Sequence, residues 1–280
     1  MQRLTIILGM LALTHLGVVR AAASIHTEEL DAELVSESVA LVPGATARFG
    51  LHFKHASGWH TYWINPGDSG LPTKLKWTLP AGFGASDIDW PTPKRFSVGE
   101  LANFGYDGEV LLPLTLRVPA EAKPSSRTSI ALDARWLVCH EECIPGRATL
   151  TLELPVATSA QADARWRRAF AETHAARPQR EPLAATARDT GKQIELRLSG
   201  VAIGRDVSVD AFAVQTKVVA NARPLVSVRD GGTLLRMTQS GLPNAEQCAA
   251  HEKGWIHYLG RLTSAAAGRD PGPDVRMPAG

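Results

Sequence analysis

Between residues 33 and 154 the chain alternates apolar and polar positions in short runs broken by Gly and Pro. The runs fall at 32–42, 46–54, 59–64, 74–79 and 110–118, and on both sides of residues 139–143. A period of two sets one face of each run against a core and the other toward solvent, the pattern of half-buried β-strands. Turn sequences such as Asn65-Pro66-Gly67 and Pro80-Ala81-Gly82 separate the runs. Together they predict an all-β fold, an antiparallel sandwich of the immunoglobulin-like kind.

The longest alternation flanks Cys139-His140-Glu141-Glu142-Cys143, which holds two of the chain's three cysteines. Before it, Ile130, Leu132, Ala134, Trp136 and Val138 alternate with Asp133, Arg135, Leu137 and Cys139. After it, Ile144, Ala148, Leu150, Leu152 and Leu154 alternate with Cys143, Arg147, Thr149, Thr151 and Glu153. If a hairpin closes around residues 140–142, Cys139 faces Cys143, and Val138/Ile144, Leu132/Leu150 and Ile130/Leu152 pair behind them. Both sulfurs then leave the core face. Opposed residues at a non-hydrogen-bonded position have Cα atoms about 4.5 Å apart, near the short end of the disulfide range. Pro145 falls opposite Leu137, where an edge strand tolerates its missing N–H. This register predicts a reversible, accessible dithiol.

The same register sets Arg135 opposite Arg147 on the face of the cysteines. Like charges opposed across a ladder disfavour each other, so the two arginines are candidates for lowering a thiol pKa. Glu141 and Glu142 in the loop oppose that effect. His140 is a candidate local acid or base near neutral pH.

Residues 161–176 break the β rhythm. They are rich in Ala and Arg, with Trp166 and Phe170 at helical spacing and Pro178 beyond. A helix and linker are expected over 159–190, after a first domain at 24–158. Alternation at Ile194, Leu196 and Leu198, then over 207–219 and 233–237, predicts a second, smaller β-rich domain at 191–263. Residues 264–280, rich in Ala, Gly and Pro, read as a disordered tail.

The first residues change the picture of compartment. Met1 to Arg3 give a short positive start, residues 4–19 form an apolar run interrupted by His15, and Ala21-Ala22-Ala23 offers small residues for cleavage. That is the pattern of a secretory signal peptide over 1–23, too short for a spanning helix. The mature chain is expected to be exported, in a compartment where disulfides form. Loss of Arg3 and Arg20 brings the formal charge from +2 to about zero, which removes the electrostatic case for nucleic acid.

Several chemistries remain open for the cysteines. The pair could exchange with other thiols, staple the hairpin, or join His140 as soft ligands for copper or zinc. His52 and His55, three apart in a strand, point to opposite faces and do not make a metal pair. Trp59, Trp63, Trp77, Trp90 and Trp136 read as core aromatics, and Asp68 as a turn former. Cys248 has no partner in the sequence and reads as non-catalytic. No Ser/His/Asp set and no carboxylate pair argues for hydrolysis.

Gly58-Trp59-His60-Thr61-Tyr62-Trp63, Asn65-Pro66-Gly67-Asp68-Ser69-Gly70-Leu71-Pro72, Trp90-Pro91-Thr92-Pro93, Phe104-Gly105-Tyr106-Asp107-Gly108-Glu109 and the Trp136…Cys139…Cys143-Ile144-Pro145 element follow one another in that order. In this order they resemble the N-terminal periplasmic domain of the DsbD/ScsB thiol–disulfide interchange proteins, over about residues 30–156. The resemblance implies a redox-active pair at Cys139 and Cys143, reduced from a membrane-embedded domain through a thioredoxin-like one. It implies that electrons then pass to periplasmic thiol proteins. It also implies an aromatic loop capping the disulfide, matched here by residues 103–107 with Phe104 and Tyr106 as cap residues.

The family's full-length members continue into membrane and thioredoxin-like domains, and this chain stops at Gly280. A separate membrane electron donor of the DsbD/ScsB type is therefore expected. The expected function is a periplasmic protein-disulfide oxidoreductase component, with no cofactor, no metal and no membrane span. Copper tolerance is associated with the ScsB branch. The alternative is a non-enzymatic, exported immunoglobulin-like binding module with a structural disulfide that handles copper or zinc.

Overall fold

The computed structural model describes residues 23–98, 101–178, 184–189, 193–199, 210–216, 221, 225–229 and 232–238. The alternating runs become β1 (Ser24–His26), β2 (Leu30–Ser36), β3 (Thr46–His55), β4 (His60–Gly67), β5 (Lys74–Thr78) and β6 (Gly84–Ala85). They continue as β7 (Lys94–Val98), β8 (Leu101–Asp107), β9 (Glu109–Arg117), β10 (Arg127–Cys139) and β11 (Cys143–Pro155). One sheet has the order β1-β2-β3-β9-β6; the other runs β11-β10-β4-β8-β7, with β5 also paired to β10.

The inward positions of both sheets form one core. Phe49, Leu51 and Phe53 of β3 and Leu112, Leu114 and Leu116 of β9 meet Trp63, Phe104, Tyr106, Ile130, Leu132, Trp136 and Val138 of the facing sheet. Phe53 and Trp136 bridge the layers with ring centroids 5.2 Å apart. Each fully buried aliphatic side chain contributes about 1.5–3 kcal/mol, so the period-two pattern suffices to drive the two sheets together. Of the five tryptophans expected in the core, Trp63 and Trp136 are buried there, and Trp59, Trp77 and Trp90 pack partly buried against it.

Strand β4 approaches β8 so closely that a Cβ on Gly105 would lie 1.9 Å from the Thr61 carbonyl oxygen. Only glycine fits at that crossing.

The helix α1 (Arg167–Ala175) lies on the outer face of the first sheet. Phe170 is buried there with Val35 and Leu111, and the Trp166 indole lies tilted against the His52 ring, with centroids 4.9 Å apart. The helix starts later than residue 161 because the Asp163 carbonyl and carboxylate collect the N–H groups of Trp166, Arg167 and Arg165 just ahead of it.

A third sheet has the order β12-β13-β15-β14, formed by β12 (Ala184–Asp189), β13 (Gln193–Ser199), β14 (Leu225–Arg229) and β15 (Gly232–Thr238). Its first strand falls inside the segment that reads as linker in the sequence. Ala-rich and weakly alternating, β12 is decided by pairing with β13 from Ala184↔Ser199 to Asp189↔Ile194. The signal-like residues 1–22, Cys248 and the tail lie outside the described residues.

Three local expectations need correction. The run at 32–42 ends as a strand at Ser36, because its hydroxyl donates to the Ser38 carbonyl and accepts the Ser38 N–H, a local turn that competes with the ladder. Asn65-Pro66-Gly67 lies within β4, at a register shift between Tyr62 and Gly67, instead of forming a free turn. Residues 210–216, expected within a strand at 207–219, are irregular and dock on the first sandwich. Asn65 donates to the carbonyls of Ala213 (2.7 Å) and Gln215 (3.3 Å), and Phe212 packs edge-on against Phe104 and Trp63.

Candidate functional site

The hairpin closes in the expected register. Cys139 pairs with Cys143, Val138 with Ile144, Leu137 with Pro145, Leu132 with Leu150 and Ile130 with Leu152. The cysteines form a disulfide with Cα atoms 4.1 Å apart. A backbone bond from the His140 N–H to the Glu142 carbonyl (3.0 Å) closes the loop without a glycine.

The two sulfur-bearing residues differ in access. Cys143 is exposed, whereas Cys139 is only 2% exposed although its parity turns it off the core face. Strand β4 supplies the cover, because His60 is the cross-strand partner of Cys139. Two residues on, and so on the same face, the Tyr62 hydroxyl lies 3.8 Å from Cys143 Sγ. A disulfide sulfur carries no proton, so the hydroxyl is the donor. Burial pushes the Tyr62 phenol up from its ordinary value, which keeps that proton in place.

The Tyr62 ring is itself held from above. Gly70 has φ +99°, and a Cβ there would sit 2.2 Å from the ring. Only glycine lets this turn rest on the tyrosine. His60 stacks on Phe96 of β7 with centroids 4.7 Å apart and planes 16° apart. Burial holds the His60 imidazole below its ordinary pKa; Asp107 pulls it back up and His140 pushes it further down.

Phe104 and Tyr106 stand elsewhere. Residues 103–107 are the body of β8, hydrogen-bonded between β4 and β7, and not a loop over the sulfurs. Their period-two pattern turns both rings into the core, where Phe104 meets Arg95 and Phe212 and the Tyr106 hydroxyl donates to the Pro91 carbonyl at 2.7 Å. The ring that touches the disulfide is Tyr62. A sequence signal for it existed in the parity of His60 and Tyr62, but which strand flanks β10 at Cys139 is not written locally.

Arg135 and Arg147 do face each other. Asp133 lies between them and accepts from Arg135 Nε at 3.2 Å and Arg147 Nη2 at 2.6 Å. The Arg147 hydrogen bond, then that of Arg135, holds the Asp133 carboxyl below its ordinary range. The opposed charges are thus relieved within their own cluster. Four residues of strand also put Arg135 about 13 Å from Cys139, farther than a charge reaches in physiological salt. The arginines tie the hairpin stem together through Asp133 and stand too far along the strands to tune the sulfurs.

His140 is exposed at the loop tip, its ring 5.9 Å from that of Trp59. His52 and His55 lie on opposite faces of β3: His52 against Trp166, His55 in the interior on the Gly108 carbonyl (2.8 Å) and the Thr61 hydroxyl (3.0 Å). Among the described residues no group of three or more His, Cys, Asp or Glu side chains is placed to share a metal ion. Asp68 organises its turn by accepting the Ala102 N–H at 2.7 Å and the Asn221 amide at 2.7 Å.

Removal of the Tyr62 ring is expected to uncover the disulfide. Tyr62→Ala should raise the rate of reduction by dithiothreitol roughly tenfold, since exchange depends on access to the attacked sulfur. Stopped-flow tryptophan fluorescence reads that rate, and a rate equal to that of the parent would take Tyr62 out of the cover.

Residues 31–155 match the family model described as thiol:disulfide interchange protein DsbD, N-terminal. None of the curated proteins compared matches the chain. Among solved structures, the N-terminal periplasmic domain of ScsB from Proteus mirabilis is similar with a TM-score of 0.57 and 17% identity, covering 79% of this chain and 88% of that one. At that identity the likeness is one of fold. The GAE domain of yeast GGA1 covers 46% of this chain and 94% of its own at 15% identity, and its TM-score of 0.23 carries no argument. Among the described residues no helix is long and apolar enough to cross a membrane. The sandwich, the Cys139–Cys143 hairpin at its edge and the match over residues 31–155 agree: this part of the chain is similar to the N-terminal domain of the DsbD thiol–disulfide interchange proteins.

Proposed function

We propose that the Cys139–Cys143 pair exchanges with thiols of periplasmic thioredoxin-like proteins, taking reducing equivalents that originate at a membrane donor of the DsbD/ScsB type and handing them to periplasmic thiol proteins. The observation that carries this reading is the unequal access of the two sulfurs. Cys143 is open at the hairpin tip, while Cys139 is covered from β4.

In the reducing direction, the Cys143 thiolate attacks a partner disulfide and forms a mixed disulfide, and one partner sulfur leaves and takes up a proton. Cys139 then attacks Cys143 Sγ, the protein disulfide closes, and the second partner sulfur leaves. Two electrons and two protons pass to the partner. The domain is thus one component of a protein-disulfide reductase chain, and export to the periplasm gives it an oxidising setting.

The reduction potential of the pair tests this reading. It is expected to lie above about −300 mV, where exchange with cellular dithiols is reversible. Equilibration with thioredoxin or glutathione redox buffers, followed by thiol alkylation, measures it. A value well below that limit marks a structural staple and favours the binding-module reading instead.

A further inference from the structure

Three successive cross-strand pairs place four reactive side chains in one row. Asp107 of β8 is opposite His60 of β4, His60 is opposite Cys139 of β10, and Cys139 is opposite Cys143 of β11. Directly opposed residues share a face, with Cβ atoms about 4.5–5.5 Å apart. His60 is 5% exposed, and its Nε2 is buried with no hydrogen-bond partner. An unpaired polar atom in such a place is costly to folding. The ring's other neighbours, Phe96 stacked on it and Tyr62 edge-on at 5.3 Å, do not explain a histidine there. A phenylalanine would stack as well without stranding a nitrogen.

The disulfide state offers that nitrogen little. A disulfide sulfur has no proton to give and is a weak acceptor. A freed Cys139 sulfur is different, because as a thiol it donates and as a thiolate it accepts strongly. Opening the bond therefore creates, on the residue paired with His60, the kind of partner that the orphaned nitrogen lacks in the oxidised domain.

We propose that His60 is the proton-holding partner of Cys139: in the dithiol state its imidazole takes the Cys139 thiol proton and keeps that sulfur as the resolving thiolate. This deepens the exchange reading above and rests on it. The step moves one proton from Sγ to the ring and no electrons. When the Cys139 thiolate then attacks Cys143 Sγ in the mixed disulfide, the S–S bond to the partner breaks and the partner leaves as a thiolate. The proton held on His60 passes to that leaving sulfur or to water.

The charges around the ring set the direction. Asp107, opposite on β8, favours the imidazolium; Lys94 of β7 is paired with Asp107 and weakens that pull. His140 from the hairpin disfavours it, and His55 of β3 is close enough for the two imidazoles to repel when charged. In the oxidised domain, burial lowers the His60 pKa and so favours the neutral ring, the form that can accept a proton. Reduction adds the one charge that makes acceptance favourable.

Two measurements test this on the whole chain. By NMR, the His60 ring is expected to titrate about one pH unit higher in the reduced protein than in the oxidised one, a tenfold change in its proton affinity. In a Cys143→Ala background, ultraviolet thiolate absorbance is expected to show Cys139 deprotonating about one pH unit later once His60→Phe is added. The NMR titration needs no variant, so it stands even if His60→Phe fails to fold. A His60 titration that ignores redox state, or superimposable Cys139 profiles in folded variants, overturns the proposal. Reduction of the wild-type disulfide by reduced thioredoxin, followed in parallel, separates the two failures. If it proceeds while the profiles superimpose, only the role of His60 falls; if it does not proceed, the exchange reading falls as well.

Discussion

Cys139→Ala is expected to accumulate a mixed disulfide with a thioredoxin-like partner, while Cys143→Ala is not. The two variants lose net exchange alike, by at least about 10³-fold, because the cysteines act as a unit and either deletion stops the cycle. They differ in where the cycle stops. In Cys139→Ala the exposed Cys143 can still attack, and with no neighbouring thiol to resolve the product the intermolecular bond persists. In Cys143→Ala the remaining thiol is 2% exposed behind His60 and cannot present itself to a protein partner. Non-reducing electrophoresis after acid quenching distinguishes the two. Equal trapping by both variants would refute the assignment of Cys143 as the attacking residue, and trapping by neither would count against exchange altogether.

Arg95→Gln is expected to destabilise the protein by about 3 kcal/mol and to free residues 210–216 from the sandwich. The Arg95 side chain is 6% exposed. Its guanidinium lies over the rings of Phe104 (4.7 Å) and Phe212 (5.4 Å) and donates to Asp210 through Nε (3.2 Å) and Nη2 (2.7 Å). It also donates to the carbonyls of Ala211 (3.3 Å) and Asn221. Removing one member of a buried ion pair costs about 3–5 kcal/mol, since the other charge stays desolvated; the partial exposure of Asp210 argues for the lower end. Glutamine keeps some volume and one donor group but cannot span both aromatic rings and the carboxylate. Denaturant unfolding followed by tryptophan fluorescence measures the loss, and limited proteolysis should show new cleavage within 210–216. A change below about 0.5 kcal/mol would mean that contacts other than Arg95, such as those of Asn65 and Phe212, hold the segment.

Arg95 also explains why a tether remote in sequence concerns the disulfide. The next residue, Phe96, projects to the opposite face of β7 and stacks on His60 beside Cys139. The anchor on one face of this strand and the cover on the other therefore share a backbone.

Much of the first sandwich was legible in the chain. Alternation at Ile130, Leu132, Ala134, Trp136 and Val138 set the faces of β10, and the three residues between the cysteines then left one hairpin register that buries both apolar sets. A slip by one residue would turn all of them outward, which is why the Cys139–Cys143 pairing could be read directly. The cap could not. Phe104 and Tyr106 fit the family pattern, but the same alternation that makes β8 a strand turns them into the core. Parity states which residues share a face and leaves open which strands become neighbours.

What the sequence determined by itself is therefore the local and periodic part: strands, faces, the hairpin register and a disulfide turned off the core. These depend on side-chain period and on a loop of three residues, both short-range properties. What only the tertiary structure decided is the long-range part. The placement of β4 beside the end of β10 buried Cys139, left Cys143 open, brought Tyr62 and His60 to the sulfurs, and docked Phe212 and Asp210 on a sheet more than a hundred residues away in the chain. Strand order is fixed by the packing of two whole sheets against each other, and no stretch of sequence carries that information alone.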